Sequence, residues 1–505
     1  MSEVVIKTSG MTFADVVAVA RHDAKVTISK EALDAVAKTR AHIDKLAASP
    51  TPVYGVSTGF GALANRHVSP ELRQQLQSSL IRSHAAGLGT PVEREVVRAL
   101  MLLRLKTLCS GHTGVRPVVV ETMAALLNAG ITPVVHEFGS LGCSGDLAPL
   151  AHCALVLMGE GEVVDVSGKQ VSAADALKSA GISPLQLVEK EGLALINGTD
   201  GMLGMLIMAI EDLEMLCDSV DLTAAMSVEA QMGTDQVFLP ELHLPLRPHP
   251  GQATSAANMF HALKESKIVE SHKVDDTKVQ DAYSLRCAPQ VTGAVRDTIA
   301  HARLVAQREL AAAIDNPVVL DDGRVSSNGN FHGAPVAYVL DFLAIAAADL
   351  GSISERRTDR MLDKARSHGL PPFLADDPGV DSGLMIAQYT QAALVSENKR
   401  LAVPASVDSI PSSAMQEDHV SMGWSAARKL RTAVANLAKI ISIEYLTAAR
   451  ALDLRAPLTP APVTKKAIDL LRKTAGGPGP DRFLAPDMAA AEVLVATGQL
   501  AKVLK

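Results

Sequence analysis

Residues 139–152 read Gly-Ser-Leu-Gly-Cys-Ser-Gly-Asp-Leu-Ala-Pro-Leu-Ala-His, a glycine-rich turn running into an apolar helix, and several chemistries compete for it. An α/β-hydrolase nucleophile elbow, Gly-x-Ser-x-Gly, would make Ser144 a nucleophile. That pattern misses by one residue, because Gly145 follows the serine directly and Asp146 stands where the second glycine belongs. A phosphate cradle fails on glycine spacing and on the missing Gly-Lys-Ser/Thr. The plainest reading is a capped turn, with Asp146 serving the N-terminus of the helix that starts there. A fourth reading takes Cys143-Ser144-Gly145 itself as the reagent. Attack of the Gly145 nitrogen on the Cys143 carbonyl closes a five-membered ring, and loss of two waters leaves an exocyclic methylidene. Serine must stand in the centre to supply the leaving hydroxyl. Glycine must stand third, because a Cβ would obstruct the bend. The first residue contributes backbone, so cysteine is acceptable there.

Metal chemistry has little to recommend it. The 15 His are dispersed, no pair sits at i, i+4 with an acidic partner, and His243 and His249 are separated by Pro245 and Pro248. No catalytic metal is expected.

The elements that must hold such a turn are helical. Leu203, Leu206, Ile207, Ile210 and Leu213 recur at helical spacing, as do Leu430, Val434, Leu437 and Ile441. Similar long patterns cover 288–314, 333–364, 382–402 and 418–450, with shorter ones near 30–47, 69–84, 92–109 and 115–129. Aromatics are only 3% of the 505 residues, which suits closely packed Ala, Leu, Val, Ile and Met helices better than cross-strand pairs. The expected fold is all-α: a long-helix bundle, with a loop-richer N-terminal lobe over 1–200 that carries the reactive turn and a long-helix lobe over 201–505. No stretch between them has linker composition, so one continuous helical body is expected.

The formal net charge of −7 gives no electrostatic reason to bind nucleic acid or an anionic membrane. The first ten residues lack the basic start and apolar run of a signal peptide. No apolar stretch is expected to span a bilayer, the best being interrupted by Asp341 and Asp349. Five cysteines, odd in number and scattered, read as reduced thiols of a cytoplasmic protein.

The run 139–152 resembles the signature of the aromatic amino acid ammonia-lyases, whose prosthetic group is a methylidene-imidazolone (MIO). The resemblance extends over nearly the whole chain. It takes in Tyr54-Gly-Val-Ser-Thr-Gly-Phe-Gly61, Asn197-Gly-Thr199, Gln280-Asp-Ala-Tyr283-Ser-Leu-Arg286, Asp315-Asn-Pro317, Gly329-Asn-Phe-His332 and Gln416-Glu-Asp-His419. It implies an all-α homotetramer with active sites shared between subunits, MIO formed from Cys143-Ser144-Gly145, and no external cofactor. Cys143 stands where the family more often has Ala, and Asp200 where many histidine-acting members carry Gln.

The resemblance also implies roles. Tyr54 takes the β-proton, in a loop whose glycines allow a mobile lid, although a structural tyrosine is the plainer reading. Arg286 clamps the substrate carboxylate with a bidentate fork, where the plainer reading is a surface salt bridge. Tyr283 assists in acid/base steps and Gln280 joins the substrate shell; if 280–286 is helical, the three share a face. Asn197 bonds the ring or the amine unless it merely forms a turn before Gly198. Phe331 packs against MIO or substrate unless it is a core aromatic. Ser83-His84-Ala85 together with Glu417 resembles the histidine-acting members, implying L-histidine as substrate, trans-urocanate as product and the first step of histidine breakdown. A carboxylate and an imidazole suit a ring with both N–H donors and an acceptor nitrogen. Glu417 could instead be favourable charge at a helix N-terminus near 418. Tyrosine ammonia-lyase or aminomutase chemistry on the same electrophile is the alternative.

Overall fold

The computed structural model describes residues 3–49, 53, 55–59, 66–274, 276 and 278–505. Among them are 19 α-helices, and every strand is short, two to four residues in four small sheets. The fold is all-α, as the helical periodicities require.

The chain forms two compact units. One comprises 1–208, 303–340 and 404–428, the other 209–302, 341–403 and 429–505. Four of the five boundaries fall inside helices, Asp200–Ala230, Ala288–Ala311, Ala334–Leu362 and Gly423–Asp453, and the fifth lies in the loop after Met385–Leu401.

The first unit is built on helix Arg94–Leu108, in which every residue from Val96 onward is buried. That burial includes three cations, each given work by the backbone around it. Arg98 donates to the carbonyls of Val19 and Leu127 at 3.0 and 3.1 Å, so one guanidinium ties its helix to Phe13–His22 and Pro117–Asn128. Lys106 donates to the Ala312 carbonyl, and burial lowers its pKa to about 8. Arg104 serves the candidate site described below. Strong N-caps start the outer helices: Thr12 and Asp15 form a reciprocal capping box, and Ser29 caps Lys30–Ala47.

The second unit is held by long helices around buried carboxylates. Glu444 accepts from Ser227 Oγ at 2.7 Å, Ser354 Oγ at 2.5 Å and Arg357 Nε at 2.5 Å. One side chain thereby joins three helices, and losing its cation would leave a buried charge uncompensated, at a cost of about 3–5 kcal/mol. Glu229 accepts from Ser266 Oγ at 2.5 Å, Ala461 N at 2.6 Å and Thr464 Oγ1 at 2.6 Å.

One expectation needs correction. Helix Ala334–Leu362 is long and apolar enough to cross a bilayer by length and composition. Asp341 and Asp349 do not disqualify it by that measure. Most of its apolar stretch is nevertheless buried inside the protein, and Asp341 is buried against Lys429 Nζ at 2.9 Å, as in a core helix. The last long helix begins at Gly423 rather than 418.

Candidate active site

The turn is stitched from within and from two distant stretches of chain. Ser140 Oγ donates to Asp146 Oδ1 at 2.9 Å and accepts the Gly142 N–H at 3.3 Å. The Gly142 carbonyl accepts from Ser421 Oγ at 2.8 Å, and Met422 N–H donates to the Leu141 carbonyl at 2.8 Å. On the other side, Asp146 N–H donates to the Gly198 carbonyl at 2.7 Å.

Asp146 does cap a helix, but not its own. Leu147–Leu157 has no side-chain cap, whereas Asp146 Oδ2 accepts from Gly201 N and Met202 N, both at 2.9 Å, at the start of Asp200–Ala230. Complete burial pushes this carboxyl up to about 7, the nearby Asp200 charge acts in the same direction, and the hydrogen bonds oppose both.

Gly145 has φ +77°, and an added Cβ would lie 2.0 Å from the Gly198 oxygen. Only glycine fits there, which is the requirement for a third residue whose nitrogen must approach a carbonyl. Ser144 Oγ donates to Glu417 Oε1 at 2.9 Å. The residues present therefore fit the cyclisation: a hydroxyl in the centre, engaged by a carboxylate, and a Cβ-free residue after it.

Cys143 is buried against Val420 and Met422. Burial pushes its thiol up to about 12, and the Glu417 carboxylate beside it adds to the effect. A thiol held in that state is a poor nucleophile at neutral pH and serves as packing. Cys143→Ala is accordingly expected to lose the mass of two waters as the parent does and to keep its turnover within about threefold, since only backbone is asked of this position. Intact-mass spectrometry with a rate measurement checks this; a folded Cys143→Ala protein that kept both waters would show that the thiol takes part.

Glu417 is not helix-terminal charge, since the helix starts at Gly423. It is presented by a reverse turn in which Ser412 and Glu417 exchange backbone hydrogen bonds at 3.0 and 3.3 Å and Ser412 Oγ donates to Glu417 Oε2 at 2.8 Å. Between them Ser413, Ala414 and Met415 take φ of 51°, 51° and 68°, a left-handed run of three non-glycine residues. Such residues store about 1–3 kcal/mol each, and strain of this kind gathers where a side chain must be aimed.

His84 closes helix Arg73–His84 with Nδ1 2.9 Å from the Leu80 carbonyl. Burial lowers its pKa, against the pull of Glu417. A neutral ring with its proton on Nδ1 presents Nε2 as an acceptor. Asn197 is 2% exposed; its Nδ2 donates to the Asn316 carbonyl at 3.0 Å, while its Oδ1 has no partner among the described residues. A buried acceptor left open is a place for a ligand donor. Phe331 is half-buried, and the next residues carry its segment to the turn: Gly333 N–H donates to the Gly142 carbonyl at 3.4 Å, and the His332 and His419 rings stack at 5.6 Å.

Gln280, Tyr283 and Arg286 belong to the second unit. Only Tyr283–Arg286 is helical there, so Gln280 lies before the helix and the shared face holds for the other two alone. Tyr283 is 71% exposed, with the Arg286 guanidinium 4.6 Å above its ring and Arg286 Nε buried without a partner among the described residues. Tyr54 lies outside the described residues. Nothing local in the chain marks Ser412, whose hydroxyl orients Glu417, or the ion pair between Arg104 and Asp200 at 3.0 Å beside the Asn197 loop.

A family model described as aromatic amino acid lyase matches residues 11–473. The chain is 70% identical to a protein of Streptomyces avermitilis named histidine ammonia-lyase, over 99% of this chain and 98% of that one. Among solved structures it resembles tyrosine aminomutase from Streptomyces globisporus, with a TM-score of 0.93, 38% identity, and 99% and 98% of the two chains covered. It also resembles histidine ammonia-lyase from Trypanosoma cruzi, with a TM-score of 0.91, 38% identity, and 99% and 95% covered.

Proposed function

The chain belongs to the aromatic amino acid lyase family, and from that premise we propose that it eliminates ammonia from L-histidine to give trans-urocanate, with an MIO group closed from Cys143-Ser144-Gly145. The observation that carries the reading is the Glu417 carboxylate, 2.9 Å from the Ser144 hydroxyl and electrostatically coupled to the His84 ring. A charged acceptor beside a neutral imidazole at the reacting turn suits a substrate that is itself an imidazole. The name of the 70%-identical relative supports the same substrate.

When formed, the ring supplies an electrophile for the substrate amine, which makes ammonia a better leaving group. The remaining work falls to the chain. Glu417 accepts a ring N–H, and His84 Nε2 offers an acceptor to the other face of the recognition. The open Asn197 Oδ1 takes a hydrogen bond from the substrate, and Phe331 supplies apolar contact that keeps water away. Arg286, with donors to spare, holds the carboxylate; Tyr283 assists in proton transfer, Gln280 stands in the substrate shell, and Tyr54 takes the β-proton.

A homotetramer with shared sites is part of the proposal. Helix Ala334–Leu362 exposes Tyr338, Phe342 and Ile345 at i, i+4 and i+7, each about half accessible, a stripe that a second helix would cover. The exposed Tyr283 is available to a neighbouring subunit's site. Thiols at all five cysteines support a cytoplasmic setting.

Purified protein given L-histidine is expected to produce the ultraviolet absorbance of urocanate, with L-tyrosine turned over at least about 100-fold more slowly. Coumarate or a β-amino acid from L-tyrosine at the faster rate would assign the chain to the tyrosine enzymes instead.

A further inference from the structure

We propose that Asp200, paired with Arg104, is a positioning residue for ring closure: the pair holds Gly198 against Gly145. The inference rests on the cyclisation reading above. Gly198 is pressed from two sides. Its carbonyl accepts the Asp146 N–H at 2.7 Å and its backbone bridges to Gly145. On its other side, the place a Cβ would occupy lies 2.3 Å from Arg104 Nη2 and 2.6 Å from Asp200 Oδ2. The ion pair therefore lies directly over the Gly198 α-carbon.

Arg104 is 1% exposed and frames the whole loop. Its Nη1 donates to the carbonyls of Ala194 and Asn197 at 3.1 and 2.8 Å, and its Nη2 to that of Ile314 at 3.1 Å. Three carbonyls orient the fork but do not neutralise it. Asp200 supplies the counter-charge, and without it a buried cation would draw the 194–200 loop toward whatever negative group or water it could reach. Gly198 would move with the loop, and Gly145 would lose the surface it is held against.

Ring closure is sensitive to such a shift. The Gly145 nitrogen bonds to the Cys143 carbonyl carbon; that oxygen leaves as water with the protons of the Gly145 and Ser144 nitrogens. Ser144 Oγ leaves as a second water with its own proton and the Ser144 α-hydrogen. The first bond requires near-attack geometry, in which a displacement of about 1 Å costs roughly 100-fold. A partial loss of the clamp should slow closure about tenfold.

The test is the rate at which folded, soluble chains lose the mass of two waters, sampled from brief induction onward. Wild type is expected to lose both waters and Ser144→Ala neither, with Asp200→Asn lagging about tenfold and Asp200→Ala at least as far. Asp200→Asn closing at the wild-type rate overturns the inference. If Asp200→Asn does not fold, Arg104→Lys reads the same clamp, because it keeps a charge for Asp200 and loses the fork. The same lag is expected there, and a wild-type rate overturns the inference equally. Glu229→Gln, which loses a buried carboxylate in the other unit, should close normally; a matching lag would mean that any destabilisation slows closure, and would also overturn it. A wild-type chain that keeps both waters defeats the cyclisation reading itself, an outcome distinct from all of these.

Discussion

Ser144→Ala is expected to give a folded protein with the mass of its uncyclised sequence and a rate on L-histidine reduced by at least about 10⁴-fold, equivalent to about 5.5 kcal/mol of transition-state stabilisation. The substitution removes a single oxygen. Ser144 Oγ donates one hydrogen bond, to Glu417 at 2.9 Å, and the turn's other ties run through Ser140, Gly142, Asp146 and Ser421. Glu417 keeps its bond from Ser412 Oγ at 2.8 Å, so its carboxylate is not left unpaired. The fold should therefore survive with a stability change of about 1 kcal/mol. What is lost is the hydroxyl whose departure creates the methylidene in the proposed cyclisation, and alanine offers no substitute leaving group. Intact mass, circular dichroism and urocanate formation separate the two effects. A mutant turning over histidine within about tenfold of wild type would show that the reaction does not depend on an electrophile made at this serine.

The second large effect concerns selectivity. Glu417→Gln is expected to lower kcat/KM for L-histidine by about 30- to 1,000-fold, the roughly 2–4 kcal/mol attached to a buried charged hydrogen bond. Trace activity on L-tyrosine or L-phenylalanine should change little, because neither ring offers Glu417 an N–H. Arg286→Lys should instead depress all three amino acids alike, since in the proposed site Arg286 holds the carboxylate they share and lysine replaces a fork by a point charge. Measuring kcat/KM for three substrates on three proteins decides it. An equal loss on every substrate in Glu417→Gln would assign that carboxylate to the common chemistry of the turn, where its bond from Ser144 already places it.

The long helices were legible because their apolar residues repeat at the helical period: 288–314 is realised as Ala288–Ala311 and 333–364 as Ala334–Leu362. Where reading stopped, the reason was contact across sequence distance or backbone conformation without a compositional mark. Asp146 was read as capping the helix it precedes, and it caps one that starts 54 residues later, which no local pattern can announce. The left-handed run at Ser413, Ala414 and Met415 contains no glycine or asparagine, so the turn that aims Glu417 left no signal and the following helix was placed too early. Arg104 is a cation in a helical run, and a cation is normally solvated; its burial is visible only once Ala194, Asn197, Asp200 and Ile314 surround it.

The ties around the turn have a consequence for the life of the chain before it works. Gly145 meets its close neighbour Gly198, and Gly142 meets Ser421, which stands 279 residues further along. The second contact cannot form until Ser421 has been synthesised, and a chain that misassembles these stretches lacks both. On the proposed cyclisation, a reactive alkene is expected only in molecules that have already brought both stretches to the turn. A chain that fails to do so keeps an ordinary serine and stays chemically inert toward the amines and thiols around it. On that proposal the close packing acts as a safety catch, released by successful folding.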